Sequence, residues 1–327
     1  MTPHTPTAQG HIMDALQALA EPVQREDIGS SPLEDAIFAK LMSKKFRKVH
    51  ADGETVRVAR RAIHTAVSSG QPVIVSFLFG GNKLWRLDEA PEIDWAELFA
   101  VLYFLRWMKT VASVYPPGAR LDFYSEDIAV ETLNNVPRAE TERYSQTFRA
   151  MLDWLRPHIP AGVSLTYRRY GEEYASYNDY LAELETAKQR VLAAGHGKLP
   201  ELSRRQEIAT ELNVRPLPGQ TDDPQWREKT ELIHRALEET DTLRRYLNDP
   251  ALVMACPTSY SGWIAVGSTK RSYAKFWAAA GALLRDGDRY HELVLTPKQL
   301  EAGNFTWEQV AIPGLSGKNF AKVRVVA

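Results

Sequence analysis

Three short stretches of this chain bring together side chains that bind anions or move protons. The first is Phe79-Gly80-Gly81-Asn82-Lys83-Leu84-Trp85-Arg86. It follows an apolar run, its two glycines let the backbone approach a ligand closely, and Lys83 and Arg86 supply cationic donors. The spacing of a Walker phosphate loop is absent, and a tight turn with solvated Lys and Arg is the competing reading. The second is Tyr124-Ser125-Glu126-Asp127, a hydroxyl beside two carboxylates, where one carboxylate serves as a general base if burial raises its pKa. A helix cap made by Ser125 and Asp127 would use the same residues. The third is Val266-Gly267-Ser268-Thr269-Lys270-Arg271-Ser272, read as the junction between a strand and a helix. Backbone donors and the Ser268 and Thr269 hydroxyls would there face an anion flanked by Lys270 and Arg271, with Lys275 one turn on. Arg138, in the loop after Asn134-Asn135-Val136-Pro137, adds a guanidinium suited to a carboxylate or phosphate.

These stretches matter because of the elements that precede them. Val73-Ile74-Val75-Ser76-Phe77-Leu78-Phe79 reads as a strand buried on both faces, and Ala119 to Tyr124 and Val163 to Tyr167 as two more. Between them lie helical stripes: Val58 to Val67, a helix opened by the capping-box spacing of Asp94 and Glu97 and stopped at Pro116-Pro117-Gly118, and a helix from about Glu140 to Leu155. The alternation predicts an α/β fold built on a mostly parallel, Rossmann-like sheet flanked by helices. Ligands of such sheets bind beyond the carboxyl ends of the strands, which is where the three stretches fall.

Four regions follow. Residues 1–50 form a helical extension, disordered to about residue 10 and then helical from about His11 to Ala20 and after Ser31-Pro32. Residues 51–170 carry the sheet core. Residues 171–250 hold three helical stretches without a strand signal, a helical insertion in the second half. Residues 251–327 resume the alternation and complete the sheet, with strands at Leu252 to Cys256, Trp263 to Val266, Glu292 to Leu295 and Ala321 to Val326, and a helix from about Ser272 to Leu284.

Composition narrows the function classes. Lys plus Arg is 40 and Asp plus Glu is 41, a net charge of −1, so no overall field draws nucleic acid or an anionic membrane. Cys256 is the only cysteine and sits in an apolar run, which suits an inert core thiol and makes an intrachain disulfide impossible. The eight histidines lack metal-ligand spacing. G-x-S-x-G, H-E-x-x-H, G-x-G-x-x-G and C-x-x-C are all missing. Without a signal-peptide pattern or an apolar run long enough for a span, the expected location is the cytoplasm.

Arg60-Arg61-Ala62-Ile63 through Gly70-Gln71-Pro72-Val73-Ile74-Val75-Ser76-Phe77, the loop at Lys83, Val114-Tyr115-Pro116-Pro117-Gly118-Ala119-Arg120-Leu121 and the turn Tyr124-Ser125-Glu126-Asp127 together resemble the isocyanide (isonitrile) synthase family, grouped with pyoverdine and dityrosine biosynthesis proteins. The resemblance covers about residues 55–155. The chain departs from the family pattern in three places. The lysine loop is Gly80-Gly81-Asn82-Lys83-Leu84 where the family has Pro-Phe-Lys-Ser, the turn is Ser125-Glu126-Asp127 where it has Ser-Asp-Gly, and a late Pro-Trp-His segment is absent. Only Lys83 and Ser125 carry over by position, which marks a divergent member.

The resemblance implies a biosynthetic lyase or transferase that converts an amino group into an isonitrile, its carbon drawn from ribulose 5-phosphate, without a metal or redox cofactor. On that reading Lys83 polarises the sugar ketone or holds the phosphate, and Asp127 or Glu126 is the general base. Ser268, Thr269, Lys270 and Arg271 cradle the phosphate. The partners are then small molecules, an amine or amino acid and a sugar phosphate, and not nucleic acid or membrane. Two alternatives keep the anion sites: a phosphate-ligand enzyme of different chemistry on an amino acid, or an inactive ligand-binding protein. The oligomeric state is left open.

Overall fold

The computed structural model describes residues 7–195, 213–215, 217–220 and 225–326. The expected disorder at the extreme N-terminus falls largely outside them, and so does part of the expected helical insertion.

Five parallel strands make the central sheet: β1 (Val73–Phe79), β2 (Ala119–Ser125), β3 (Val163–Arg169), β4 (Leu252–Cys256) and β5 (Ile264–Ala265), in the order β3-β2-β1-β4-β5. The sheet is the α/β, Rossmann-like one that the alternation predicts. One face carries α3 (Gly53–Ser69), α4 (Trp95–Val114) and α6 (Arg138–Leu155), whose Ala62, Ile63, Phe104 and Phe148 pack on Val75, Phe77, Phe79 and Phe123. The opposite face carries α5 (Asp127–Asn134), α7 (Tyr177–Ala194), α8 (Trp226–Glu238) and α9 (Asp241–Leu247). There Tyr180, Leu184, Leu237 and Tyr246 cover Tyr124, Leu252 and Met254. Period-2 alternation along β1 and β2 divides their side chains between these two cores. Among the described residues of 171–250, α7, α8 and α9 are helical and no strand occurs.

The N-terminal helices are α1 (Ala8–Ala20), which starts three residues earlier than expected because Thr7 caps it through Gly10, and α2 (Leu33–Leu41). Helix α4 opens as its capping box predicts: the Asp94 carboxylate accepts from Ala96 N–H, and Glu97 reaches back to the Asp94 N–H. It is buried on nearly every side, since a second sheet lies against the flank that the parallel sheet leaves open.

That second sheet corrects two expectations. Residues 280–286 form β6 (Ala280–Asp286) and not the end of a helix from Ser272 to Leu284; only Phe276–Ala278 makes a single 3₁₀ turn. The alanine-rich sequence favours a helix locally, but antiparallel pairing with β7 (Arg289–Leu295) and parallel pairing with β9 (Lys322–Val326) override that propensity. The strand passes so close to α4 that residue 281 must be glycine, since a Cβ there would lie 2.4 Å from the backbone of Trp95. With β8 (Thr306–Gln309), which the pattern of the sequence does not announce, the order is β7-β6-β9-β8. Of residues 251–327, then, only β4 and β5 extend the parallel sheet; the rest build this separate one, with the short α10 (Pro297–Ala302) beside it.

Candidate active site

From β1 the chain runs outward to β2 and β3 on one side, then returns to place β4 and β5 on the other. The carboxyl ends of β1 and β4 therefore flank a topological switch point, where an open sheet leaves a crevice. Phe79-Gly80-Gly81 leaves β1 there and Cys256-Pro257 leaves β4. Pairing of Leu78 with Tyr124 and of Phe77 with Ala255 sets the level of the edge. Cys256 lies two residues beyond Met254 and Glu126 two beyond Tyr124, on the side roofed by α5 and α8.

Glu126 is held in place by its backbone N–H, which donates to Phe79 O at 2.7 Å. Its carboxyl is pushed up to about 7, chiefly by burial; Lys275 pulls the other way and Glu238 adds to the rise. Lys275 arrives on the strap between β5 and β6, its ammonium 5.6 Å from the Trp277 ring and, among the described residues, without a carboxylate partner. Trp277 in turn lies against Gly80, where a Cβ would meet the indole Nε1 at 2.9 Å. Burial raises the Cys256 thiol above its usual range, so the neutral form expected of an inert core cysteine persists despite the nearby Lys275. On α8, the His234 imidazole is held below its ordinary 6.5, first by burial and then by Arg235 and Lys275 against the opposing pull of Glu238.

The other expected site residues are placed differently. Lys83 is fully buried beneath the edge, its Nζ donating to Asp94 Oδ1 at 2.7 Å, to Glu97 Oε2 at 2.8 Å and to Phe276 O at 3.3 Å. Burial alone would lower its pKa, but the two carboxylates hold it above 10.5. Glu97 is pushed to about 8 by burial, against the pull of Lys83, and also accepts from the Tyr144 hydroxyl. This triad ties α4 to the 276–281 segment, and Asp94 Oδ2 accepts from Gly281 N–H. The Lys83 ammonium thus has its hydrogen bonds taken up by Asp94, Glu97 and Phe276 O, and is not the solvated donor of a tight turn.

Asp127 is adjacent in sequence to Glu126 but is committed elsewhere, accepting from Arg169 Nε at 2.6 Å and from Gly171 N–H at 3.0 Å. The Ser125 hydroxyl is buried against Gly81, whose φ of +66° and 1.9 Å Cβ-to-Oγ approach explain why only glycine fits. Arg86 is exposed, and Arg138 is an exposed residue paired with Glu142 one turn along α6.

The expected phosphate cradle is a closed turn. Ser268 and Thr269 N–H both donate to Ser272 O, the Ser268 hydroxyl donates to Ala274 O, and no helix N-terminus stands behind them. Lys270 is exposed, and Arg271 points to the β6–β7 hairpin, 3.5 Å from Asp286 and 3.0 Å from His291. Of the sequence candidates, the structure brings Gly80, Gly81, Ser125, Glu126 and Lys275 to one place. His234 and Glu238, which the sequence reading passed over, join them; their i, i+4 spacing on a helix is the signal that was present.

Among the described residues no group of three His, Cys, Asp or Glu is arranged to hold a metal ion, and no helix is long and apolar enough to cross a membrane. Two surface clefts, of about 80 Å³ beside Arg47, Asp52 and Trp263 and about 240 Å³ between α6 and residues 314–320, include none of the crevice residues. No family model matches the chain, and no curated protein does. Among solved structures, the PvcA protein of Pseudomonas aeruginosa is similar, with a TM-score of 0.61 over 90% of this chain and 100% of that one, at 15% identity, a likeness of fold.

Proposed function

We propose that this chain is a biosynthetic enzyme of isonitrile-synthase type, joining the amino group of an amino acid or related amine to a sugar phosphate such as ribulose 5-phosphate in the crevice between β1 and β4. The fold shared with PvcA accords with the family that the sequence resembles. The observation that carries the reading is a proton-holding carboxyl, Glu126, beside a cation without a carboxylate partner, Lys275. A general acid beside a cation accelerates imine formation from an amine and a ketone. Lys275 holds the phosphate or the developing alkoxide, and Glu126 delivers a proton to the ketone oxygen as the amine adds. In the later carbon–carbon fragmentation and phosphate loss the same carboxyl gives and takes protons in turn. Asp127 and Arg169 fix the turn that carries Glu126, while Lys83 ties α4 to the strap that carries Lys275.

The test is to incubate the protein with ribulose 5-phosphate labelled with carbon-13 at C2 and a panel of amino acids. The expected product carries labelled isonitrile carbon, read by its infrared stretch and by carbon-13 NMR. Glu126→Gln is expected to lower the rate by roughly 10²- to 10⁴-fold. Absence of label from every amine product overturns the reading.

A further inference from the structure

The roof of the crevice holds an ionisable side chain with no assigned task. His234 lies on the face of α8 that also presents Glu238, one turn on, and α8 packs against α5, which begins directly after Glu126. Its Nδ1 is buried and, among the described residues, has no hydrogen-bond partner. An inert imidazole at such depth ordinarily satisfies both ring nitrogens, so an open one calls for a donor that comes and goes. The groups acting on it are Arg235 and Glu238 from its own helix and Lys275 from the strap; Lys275 and Glu238 are also the two charges acting on Glu126. The same two charges, Lys275 and Glu238, thus act on both titratable groups.

We propose that His234 is a second proton-transfer residue of this site, its open Nδ1 acting as a base opposite the Glu126 carboxyl. The inference rests on the functional reading above and deepens it. Acid and base are inverted relative to free solution, since burial keeps the proton on the carboxyl and off the imidazole near neutral pH. As the amine nitrogen bonds to the ketone carbon, the carbonyl electron pair moves to oxygen, which takes the Glu126 proton, while the nitrogen gives its proton to His234 Nδ1. In dehydration the hydroxyl departs with the imidazolium proton as water, and the remaining N–H proton returns to the Glu126 carboxylate as the C=N bond forms. Both residues end as they began, and atoms and charge balance without another reactant.

The experiment uses the full chain labelled with nitrogen-15 histidine. His234 is expected to titrate below 6.5, to carry its proton on Nε2 when neutral, and to rise in pKa when Lys275→Met removes the neighbouring positive charge. A proton resident on Nδ1, or titration indifferent to Lys275→Met, overturns the proposal whether or not the protein makes an isonitrile. In the isonitrile assay His234→Gln should lower kcat by roughly 10²- to 10⁴-fold with little change in KM, and remove the low-pH limb of the kcat profile. Rates within a few fold of wild type, with the limb intact, also overturn it. If the wild type yields no isonitrile, the functional reading fails by itself, and the tautomer and titration still decide whether the imidazole is an open base.

Discussion

Lys83→Met replaces a buried ammonium by an apolar chain of similar length and leaves Asp94 and Glu97 facing each other without a cation. Breaking a buried ion pair from one side costs about 3–5 kcal/mol. At about 1.5 °C per kcal/mol for a chain of 327 residues, the melting temperature should fall by roughly 4–8 °C. The pH dependence makes the test sharper. Glu97 has its folded pKa raised from 4.5 to about 8, so the stability it contributes is full below about pH 4.5 and is lost as pH rises through about 8. Removing Lys83 makes both carboxyls hold protons more tightly in the folded state, so the deficit of the variant should be smaller at pH 5 than at pH 8. Adding Glu97→Gln to Lys83→Met should recover part of the loss at pH 8. Urea denaturation at the two pH values measures all of this. A Lys83→Met protein as stable as wild type at pH 8, yet unable to bind ribulose 5-phosphate, would refute the reasoning and return Lys83 to the ligand.

Lys275→Met should move the high-pH limb of turnover above about 7, since Lys275 is the charge that pulls the Glu126 pKa down, and Glu126→Gln should remove that limb; rate profiles from pH 5 to 9 check both. Lys270→Ala leaves an exposed position and should change ribulose 5-phosphate affinity by no more than the ~0.5 kcal/mol of a surface substitution, whereas Lys275→Met should weaken it by about 1.5–3 kcal/mol; calorimetric titration compares them. Gly281→Ala drives a methyl into the Trp95 backbone and should destabilise by about 1–3 kcal/mol, read as a shift in urea midpoint.

Local chemistry made much of the scaffold legible in the sequence. The β1 run, the Asp94 and Glu97 capping box, and the Pro116-Pro117-Gly118 stop are decided within a few residues, and the structure keeps all three. The carboxyl edge of the sheet was likewise foreseeable as the place to search, because alternating strands and helices dictate where such sheets open. The tertiary structure alone decided which groups there are free. Glu126 and Asp127 are neighbours in the chain, yet one enters a buried enclosure and the other binds Arg169, 42 residues away. Lys83 looked like a ligand donor until helix α4 folded two carboxylates onto it. The Ser268–Arg271 segment lost the helix N-terminus expected behind it when pairing with β7 and β9 made a strand of an alanine-rich stretch. In each case the outcome depends on charges and hydrogen bonds from residues far along the chain, whose effect on burial and pKa exists only once the elements have packed.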